Sequence, residues 1–302
     1  MPELPDVVVY IEALEARILS QTLEGLRIAS PFVLRSVDPP PSALVGKKVR
    51  SIRRLGKQIV LVFDEEHFLV IHLMIAGRLQ WREPHARLAG KIGLAAFEFA
   101  SGTLILTEAG SKKRASLHVV RGEQALAAFD RRALEVLECS LDDFDSVLRR
   151  ENHTLKRSLT DPRLFSGIGN AFSDEILHHA KLSPLKQTAR LSTQEVRQLW
   201  ESTRSVLSEW TGRLRSQTGE DFPSKVTAFR PEMAVHGRYG KPCPRCGAPV
   251  QRIVYAENEC NYCAPCQTEG RLLADRAMSR LLKEDWPRSL EEMEKHFEER
   301  RG

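Results

Sequence analysis

Apolar residues recur at helical spacing near the start of the chain. Between Val7 and Ser20 they fall on one face of a helix, which the pattern predicts to begin just after Pro5. Short apolar runs of strand length follow, and turn signals such as Ser101-Gly102 separate several of them. These runs are Leu26–Ala29, Val49–Arg53, Ile59–Phe63, Phe68–His72, Arg78–Gln80, Leu94–Phe99 and Thr103–Leu106. The pattern predicts antiparallel strands in a sandwich or barrel, preceded by one helix.

The middle of the chain changes to helical periodicity, over Asp142 to Ala180 and again over Thr193 to Ser216. A Gly-Ile-Gly-Asn motif, which ends with Gly169 and Asn170, stands between two of the predicted helices. Glycines let a backbone approach a ligand, Asn is a favoured N-cap residue, and amides at a helix N-terminus bind phosphate. Taken alone, the motif is more often an ordinary turn. Glu175 follows on the next helix, either as a buried carboxylate or on an exposed face.

Four of the six cysteines have the spacing of a zinc site. They form two Cys-x2-Cys pairs, Cys243 with Cys246 and Cys263 with Cys266, as in four-thiolate tetrahedral centres. Two disulfides are the alternative, but they conflict with the reducing compartment that the rest of the sequence indicates. A four-cysteine site leaves no coordination position open. The predicted cofactor is therefore one structural Zn²⁺, which stabilises a module too small for its own core.

The composition is that of a soluble globular protein. The chain of 302 residues is 42% hydrophobic and 28% charged, and no apolar run approaches the roughly 20 residues that cross a bilayer. Polar residues and prolines among the first six positions interrupt any secretory signal. We therefore expect a cytoplasmic protein with reduced cysteines. The net charge of +5 suits a polyanionic partner, although many basic proteins bind no nucleic acid.

The N-terminus offers a candidate nucleophile. Removal of Met1 would leave Pro2 with a secondary amine, and an ordinary α-amino group, with a pKa of roughly 8, is partly neutral at physiological pH. Such an amine can attack an electrophilic carbon, and Glu3 could exchange the proton. On these residues alone, the simpler interpretation is preferred: a small residue after the initiator and an acid on a solvated turn.

Further candidates lie in the strand region. Lys57 follows two arginines and precedes an apolar strand, so it is either a solvated charge or part of a basic cluster that binds phosphate. His72 ends a buried-looking strand, where a core or rim histidine is commoner than a metal ligand. The basic run of Lys112, Lys113 and Arg114 is either a loop on backbone phosphate or a solvated turn.

Taken together and in this order, the Pro2-Glu3 start, Lys57, the Gly-Ile-Gly-Asn motif and the cysteine pairs resemble the formamidopyrimidine-DNA glycosylase and endonuclease VIII family. The resemblance covers Met1 to about Gln267. It implies an α+β multidomain fold, with an N-terminal helix plus antiparallel β-sandwich, a helix–two-turn–helix domain and a C-terminal zinc ribbon. The implied boundaries are 1–135, 136–235 and 236–270, followed by a C-terminal helical extension over 271–302.

The resemblance also implies roles for particular residues. Pro2 would attack the sugar C1′ of a damaged nucleotide, expel the base and form an iminium, after which elimination cuts the strand. Glu3 would be the proton donor at the sugar, Lys57 would assist at the phosphate, and Glu175 matches the family's acidic residue after the glycine motif.

The resemblance implies DNA binding for several residues, and the chain departs from the family pattern at two single positions and one run of three. Gly169 and Asn170 would hold a phosphate, and His72 would lie near the DNA backbone. Ile75 stands where the family often has a void-filling Met, and Asn258 stands where the finger usually presents an Arg. Lys112, Lys113 and Arg114 replace a stretch that commonly probes the opposite strand.

Three hypotheses remain open. The preferred one is a bifunctional glycosylase and strand lyase acting on damaged double-stranded DNA, as a monomer without a small-molecule cofactor or a membrane. The second is a catalytically altered DNA- or lesion-binding protein of the same fold, and the third is a zinc-ribbon adaptor with no enzymatic heritage. The family's Arg and Phe that probe the opposite strand are absent from this chain, and the segment between Gly219 and His236 is short. Both features favour oxidised pyrimidines, ring-opened purines or unusual adducts as substrates over a dedicated 8-oxoguanine activity.

Overall fold

The computed structural model describes residues 1–88, 90–110, 112–224, 226–255, 258–274 and 289–292, with the side chains at 255 and 258 left out. The chain divides into two compact units. The first comprises Met1–Ala133 and Ser208–Ala228, and the second comprises Leu134–Leu207 and Phe229–Gly302.

The predicted N-terminal helix is present as α1 (Leu4–Ile18) and begins earlier than the apolar pattern indicated. Pro5 fits its first turn because the amides there need no intrahelical partner. Val7, Tyr10, Leu14 and Ile18 recur at helical spacing and are fully buried in the core of the first unit. The helix is therefore held by one apolar face.

The strands described in the first unit form two antiparallel four-stranded sheets. One has the order β1-β6-β7-β5 and the other the order β2-β3-β4-β8. The strands are β1 (Gly25–Ile28), β2 (Val49–Leu55), β3 (Gln58–Phe63), β4 (His67–His72), β5 (Gly77–Arg82), β6 (Gly93–Phe99), β7 (Gly102–Glu108) and β8 (Ser116–Arg121). The sandwich prediction is confirmed, whereas β8 was not predicted.

The apolar run in β3 is continuous because both of its faces are covered. Ile59, Leu61 and Phe63 join the main core with α1. Val60 and Val62 pack on the opposite face with Leu126 of the short helix α2 (Glu123–Ala127). A strand buried on both sides reads as an unbroken hydrophobic run rather than an alternating one.

The second unit is helical before it reaches the cysteines. Its helices are α3 (Leu141–Leu148), α4 (Leu155–Thr160), α5 (Asn170–His179) and α6 (Thr193–Thr218), the last of which continues into the residues of the first unit. The stretch from Asp142 to Ala180 is broken twice, whereas the pattern predicted one break, at the Gly-Ile-Gly-Asn motif. The second break contains Pro162 and two glycines, which disfavour helix continuation. Short 3₁₀ turns occur at Pro31–Val33, Pro41–Leu44, Gly90–Ile92 and Thr188–Arg190.

The cysteine region forms a small ribbon. Strands β9 (Gln251–Tyr255) and β10 (Asn258–Tyr262) pair as an antiparallel hairpin, followed by α7 (Ala264–Thr268). Its core contains Ile253, Cys260 and Tyr262, with Leu272 and Leu290 from the C-terminal extension packed against them. The helices predicted for the C-terminal extension fall largely outside the described residues. The limits of the four predicted domains stay predictions. Within the described part of the chain, no helix has the length and apolar character of a membrane span.

Candidate active site and metal centre

The N-terminal segment is buried at the start of α1. Pro2 is buried, and Glu3, only 3% exposed, is the N-cap residue of the helix. The Glu3 amide donates to Oδ2 of Asp6 at 3.0 Å, and Asp6 is buried as well. In return, the Glu3 side chain accepts from the backbone of Asp6, which completes a capping box. The two contacts fix the backbone next to Pro2. The solvated turn considered for Glu3 is therefore wrong.

Lys57 lies on a two-residue loop between β2 and β3. Gly56, with φ of +61°, takes the left-handed conformation that this tight hairpin needs. His72 pairs with Gln58 across β3 and β4. Burial, together with the charge of Lys57, lowers the pKa of His72 to about 4, so this side chain is neutral at pH 7. His72 is therefore available only as a neutral hydrogen-bonding group.

Several charged groups act on the N-terminal amine. Burial lowers the pKa of the Met1 amine; Glu3 and Asp6 raise it, and Arg78 and Lys57 lower it. The net direction is down, which favours the neutral, nucleophilic form of an amine. In the first unit Glu3, Asp6, Lys57 and Arg78 are thus the charged groups that influence the chain start, and Arg78 was not singled out from the sequence.

Ile75 lies at the tip of the turn between β4 and β5. The Gly77 amide donates to Leu73 O at 2.8 Å, and a Cβ on Gly77 would lie 2.2 Å from that oxygen. Only glycine fits there, so the turn is tightly specified. Ile75 is 56% exposed. The turn therefore displays an apolar side chain to solvent.

The basic loop after β7 is organised by Glu108. This carboxylate is buried, and its Oε2 accepts from the amides of Arg114 at 2.8 Å and Ala115 at 3.1 Å. Lys113 Nζ donates to Glu108 O. The side chains of Lys112 and Arg114 are exposed. Lys113 therefore bonds within the loop, whereas the side chains of Lys112 and Arg114 are open to solvent.

In the second unit, Gly169 is the N-cap of α5, and Asn170 is its first helical residue. This corrects the assignment of Asn170 as a cap. Asn170 Nδ2 donates to Glu259 O of β10 at 2.9 Å, and Lys156 Nζ donates to Asn170 O at 2.6 Å. The start of α5 is thus tied to the ribbon. A role for Gly169 and Asn170 in phosphate binding stays a prediction.

Glu175 is a buried carboxylate, so the exposed alternative is wrong. It accepts hydrogen bonds from the amides of Ala234 at 2.7 Å, Val235 at 2.9 Å and His236 at 2.9 Å. Burial raises the pKa of Glu175, while these three donors favour its ionised form. Its neighbour Asp174 pairs with Lys156 Nζ at 2.6 Å and with His236 Nδ1 at 2.8 Å. Two adjacent carboxylates therefore anchor the 234–236 segment.

The four predicted cysteines come together. The Sγ atoms of Cys243, Cys246, Cys263 and Cys266 all lie within 4.8 Å of one another. A tetrahedron with Zn–S bonds of about 2.3 Å has sulfur atoms about 3.8 Å apart, so the cluster fits one zinc ion. Cys260 is not part of it and packs in the ribbon core instead.

The backbone and one imidazole shape this centre. The Gly247 amide donates to Cys243 O at 2.9 Å, which closes the first knuckle. His178, near the end of α5, has its Nε2 3.3 Å from Cys243 Sγ. Such contacts orient a metal ligand from outside the coordination sphere. Asn258 begins β10, but the prediction for its side chain falls outside the described residues.

Two family models match most of the chain. The model described as "Formamidopyrimidine-DNA glycosylase N-terminal domain" matches residues 1–133, and the model described as "Formamidopyrimidine-DNA glycosylase H2TH domain" matches residues 135–217. The formamidopyrimidine-DNA glycosylase of Chloroflexus aggregans is 30% identical over 276 residues, which cover 88% of this chain and 98% of that protein. The chain belongs to the formamidopyrimidine-DNA glycosylase family. Its class of enzyme is therefore a DNA glycosylase of base-excision repair.

Other members of the family extend this comparison. An uncharacterised formamidopyrimidine-DNA glycosylase-like protein of Mycobacterium tuberculosis is 41% identical over 149 residues, 49% of this chain and 92% of that protein. The Lactococcus lactis Fpg, in a complex with DNA containing an abasic site, has a TM-score of 0.78 and 26% identity, covering 88% of this chain and 99% of the other. MutM, bound to DNA containing carbocyclic 8-oxo-G, gives a TM-score of 0.78 with 25% identity.

Several residues that support the chain start, the start of α5 and the zinc centre of this glycosylase-family chain were not predicted from the sequence. Asp6 could have been found, because an acid three residues after Glu3 has the spacing of a capping box. Arg78, Asp174 and His178 carry no such local signal. Their partners are distant along the chain, and only the tertiary structure brings them together.

Proposed function

We propose that this chain is a bifunctional DNA glycosylase and AP lyase that excises damaged bases from duplex DNA through a Pro2 imine. The observation that carries the proposal is the buried chain start. Pro2 and Glu3 lie at the capped origin of α1, and burial together with Arg78 and Lys57 lowers the pKa of the Met1 amine, one residue before Pro2. Removal of Met1 would bring the Pro2 amine into these surroundings, and a protein that only binds DNA has no use for a buried amine there.

In the proposed reaction, the Pro2 nitrogen bonds to the sugar C1′ while the C1′–N bond to the base breaks. The electron pair leaves with the base, which takes up a proton. The Pro2 nitrogen loses its own proton. Glu3, a buried carboxyl group held next to Pro2, donates a proton to the ring oxygen O4′ as the C1′–O4′ bond breaks. The lone pair of the nitrogen then forms the second bond to C1′, which gives a ring-opened covalent iminium between protein and sugar.

The positive iminium then acidifies C2′. Removal of a C2′ proton sends its electrons toward the iminium, and the C3′–O bond breaks with the phosphate as leaving group. In this proposal Lys57, on the two-residue loop between β2 and β3, assists at a phosphate or in the proton transfer. A second elimination at C5′ would release the sugar remnant.

Damaged DNA is the proposed partner, since solved relatives of this fold were crystallised with DNA containing abasic or damaged sites. Enzymes that act on a base must first extrude it from the stack. In this proposal exposed Ile75 enters the space left behind, while Lys112, Arg114 and the start of α5 contact the backbone. Glu175, bonded to three amides, acts by holding the 234–236 segment.

Borohydride trapping tests the proposal. Purified protein, incubated with duplex DNA bearing an abasic site and then reduced, should give a covalent adduct that maps to Pro2. Pro2→Gly, or a form that retains Met1, should reduce the adduct at least tenfold, on the order of the contribution of a positioned nucleophile. An adduct mapping to another residue would contradict the chemistry, and no adduct in any form would favour the binding-protein alternative.

A further inference from the structure

Arg78, the second residue of β5, joins two separate segments of the first unit. Its Nε donates to Val226 O at 2.5 Å, while Nη1 donates to Gly77 O at 2.6 Å and Ile75 O at 3.1 Å. Ile75 and Gly77 belong to the turn that displays the apolar side chain, whereas Val226 lies almost 150 residues away. One guanidinium therefore fixes the carbonyls of both segments.

The same guanidinium acts on the chain start. The charged groups that act on the N-terminal amine are Glu3 and Asp6 on α1, Lys57 on the β2–β3 loop and Arg78 on β5; among them the influence of Arg78 exceeds that of Lys57. Arginine stays protonated at every pH at which proteins are folded. Three hydrogen bonds hold its charge in place, whereas a lysine ammonium moves on a flexible stem.

We propose that Arg78 is a positioning residue of the active site, which ties the Ile75 turn to the segment around Val226 and whose permanent positive charge acts on the amine at the chain start. The inference rests on the proposed function for its catalytic meaning. Its physical content, a charge and three bonds, can be measured without DNA.

The first experiment measures the amine directly. An amine-selective label is applied from about pH 5 to 9, and the labelled N-terminal peptide is quantified by mass spectrometry. In Arg78→Met the amine should keep its proton to a higher pH, so that labelling on the acidic side falls about three- to tenfold. Arg82→Met is the matched control on the same strand, because Arg82 is exposed and donates to Gln80. It should match wild type.

Arg78→Lys separates charge from positioning. It keeps a cation but replaces the planar fork, so amine labelling should stay within about twofold of wild type. Amide hydrogen exchange across 73–77 should rise at least tenfold, because the carbonyl contacts are lost. This variant also carries the test if Arg78→Met does not fold. Unchanged exchange in Arg78→Lys would overturn the positioning role.

The second experiment repeats borohydride trapping as a function of pH. In Arg78→Met the acidic limb of the trapping rate should move upward with the labelling curve, while Arg82→Met keeps the wild-type profile. Labelling curves of Arg78→Met and Arg82→Met that coincide would overturn the charge role. A shifted labelling curve in a protein that never traps DNA would instead sink the proposed function and leave the charge role of Arg78 standing.

Discussion

At the scale of single residues, the chemistry depends on a few buried polar groups rather than on exposed charge. The Asp6 carboxylate accepts a hydrogen bond from the amide of Glu3, and the Glu108 carboxylate accepts hydrogen bonds from two amides of the basic loop. Buried polar groups persist when they are hydrogen-bonded, and their loss leaves a donor without a partner. Each of these acids therefore fixes the backbone beside a proposed functional side chain.

Asp6→Ala tests this coupling at the chain start. Losing the cap partner of Glu3 should cost about 0.5–2 kcal/mol in the free energy of unfolding. On the alkaline plateau of the trapping rate, where the charge of Asp6 no longer changes the protonation of the amine, the borohydride adduct should fall severalfold, because Pro2 directly precedes the capped turn. Urea unfolding and trapping are the two measurements. Asp143→Ala is the matched control, since Asp143 forms a capping box with Ser140 at the start of α3. It should lose similar stability and keep its trapping rate. Equal trapping losses would contradict the idea.

His72 predicts a pH dependence of stability. Its pKa is lowered from 6.5 to about 4 by burial and by Lys57, Arg131 and His118. The unfolded chain takes up the proton first as the pH falls, so the stability is fully present above about pH 6.5 and is lost progressively toward pH 4. The loss assigned to this group is about 1–3 kcal/mol. Urea unfolding of wild type and His72→Gln between these limits isolates it, because the other histidines titrate in both. Parallel curves would show that His72 is not the group responsible.

At the scale of elements, hairpin turns present the side chains proposed to meet DNA. The β2–β3 loop carries Lys57, and the β4–β5 turn carries Ile75 above the specified Gly77. Rigid turns on a sandwich are suited to this, because the strands below hold them in place. The sequence indicated where the turns occur but not how far each side chain is exposed.

Ile75→Ala should separate binding from folding. Because Ile75 is exposed, its truncation should change stability by less than about 0.5 kcal/mol. Affinity for duplex DNA with an abasic site should fall about tenfold or more, since in the proposed complex the apolar side chain fills the unstacked space. Ile92→Ala is the control, an exposed isoleucine in the first unit away from the turn. Fluorescence anisotropy with labelled duplex measures both, and equal affinities for the two variants would refute the role.

The zinc ribbon is predicted to depend on its metal. Cys243→Ser should lose the one bound zinc per chain and destabilise the ribbon, because ligand binding supplies the folding free energy of such modules. Cys260→Ala is the matched control, a buried cysteine of the same ribbon outside the cluster. It should keep one zinc. Metal analysis by mass spectrometry gives the count, and zinc retained in Cys243→Ser would remove a ligand from the proposed set.

At the scale of the whole molecule, net charge says little about specificity. A surplus of +5 over 302 residues is modest, and many of the charges are paired internally, as Arg215 is with Glu12 and Lys156 with Asp174. What distinguishes the chain is the combination of a buried start, two displayed turns and a four-cysteine centre. The lesion that such a chain excises is best sought with a panel of defined duplexes in which the opposite base is varied.

The sequence by itself determined the elements and the metal. Periodicity marked α1 and seven of the eight strands of the first unit, and spacing alone selected Cys243, Cys246, Cys263 and Cys266 from six cysteines. Those signals are local or evenly spaced, so one chain suffices to read them. The joint order of the motifs was also enough to indicate the family.

The tertiary structure decided the surroundings of each group. Whether Glu175 is buried, which loop Glu108 holds, and that Arg78 acts on the chain start all depend on contacts between residues far apart in sequence. Burial and neighbouring charge set the pKa of an amine or an imidazole, and neither can be read from spacing. The identity of the chemical groups is thus written in the sequence, whereas their protonation and exposure follow from the fold.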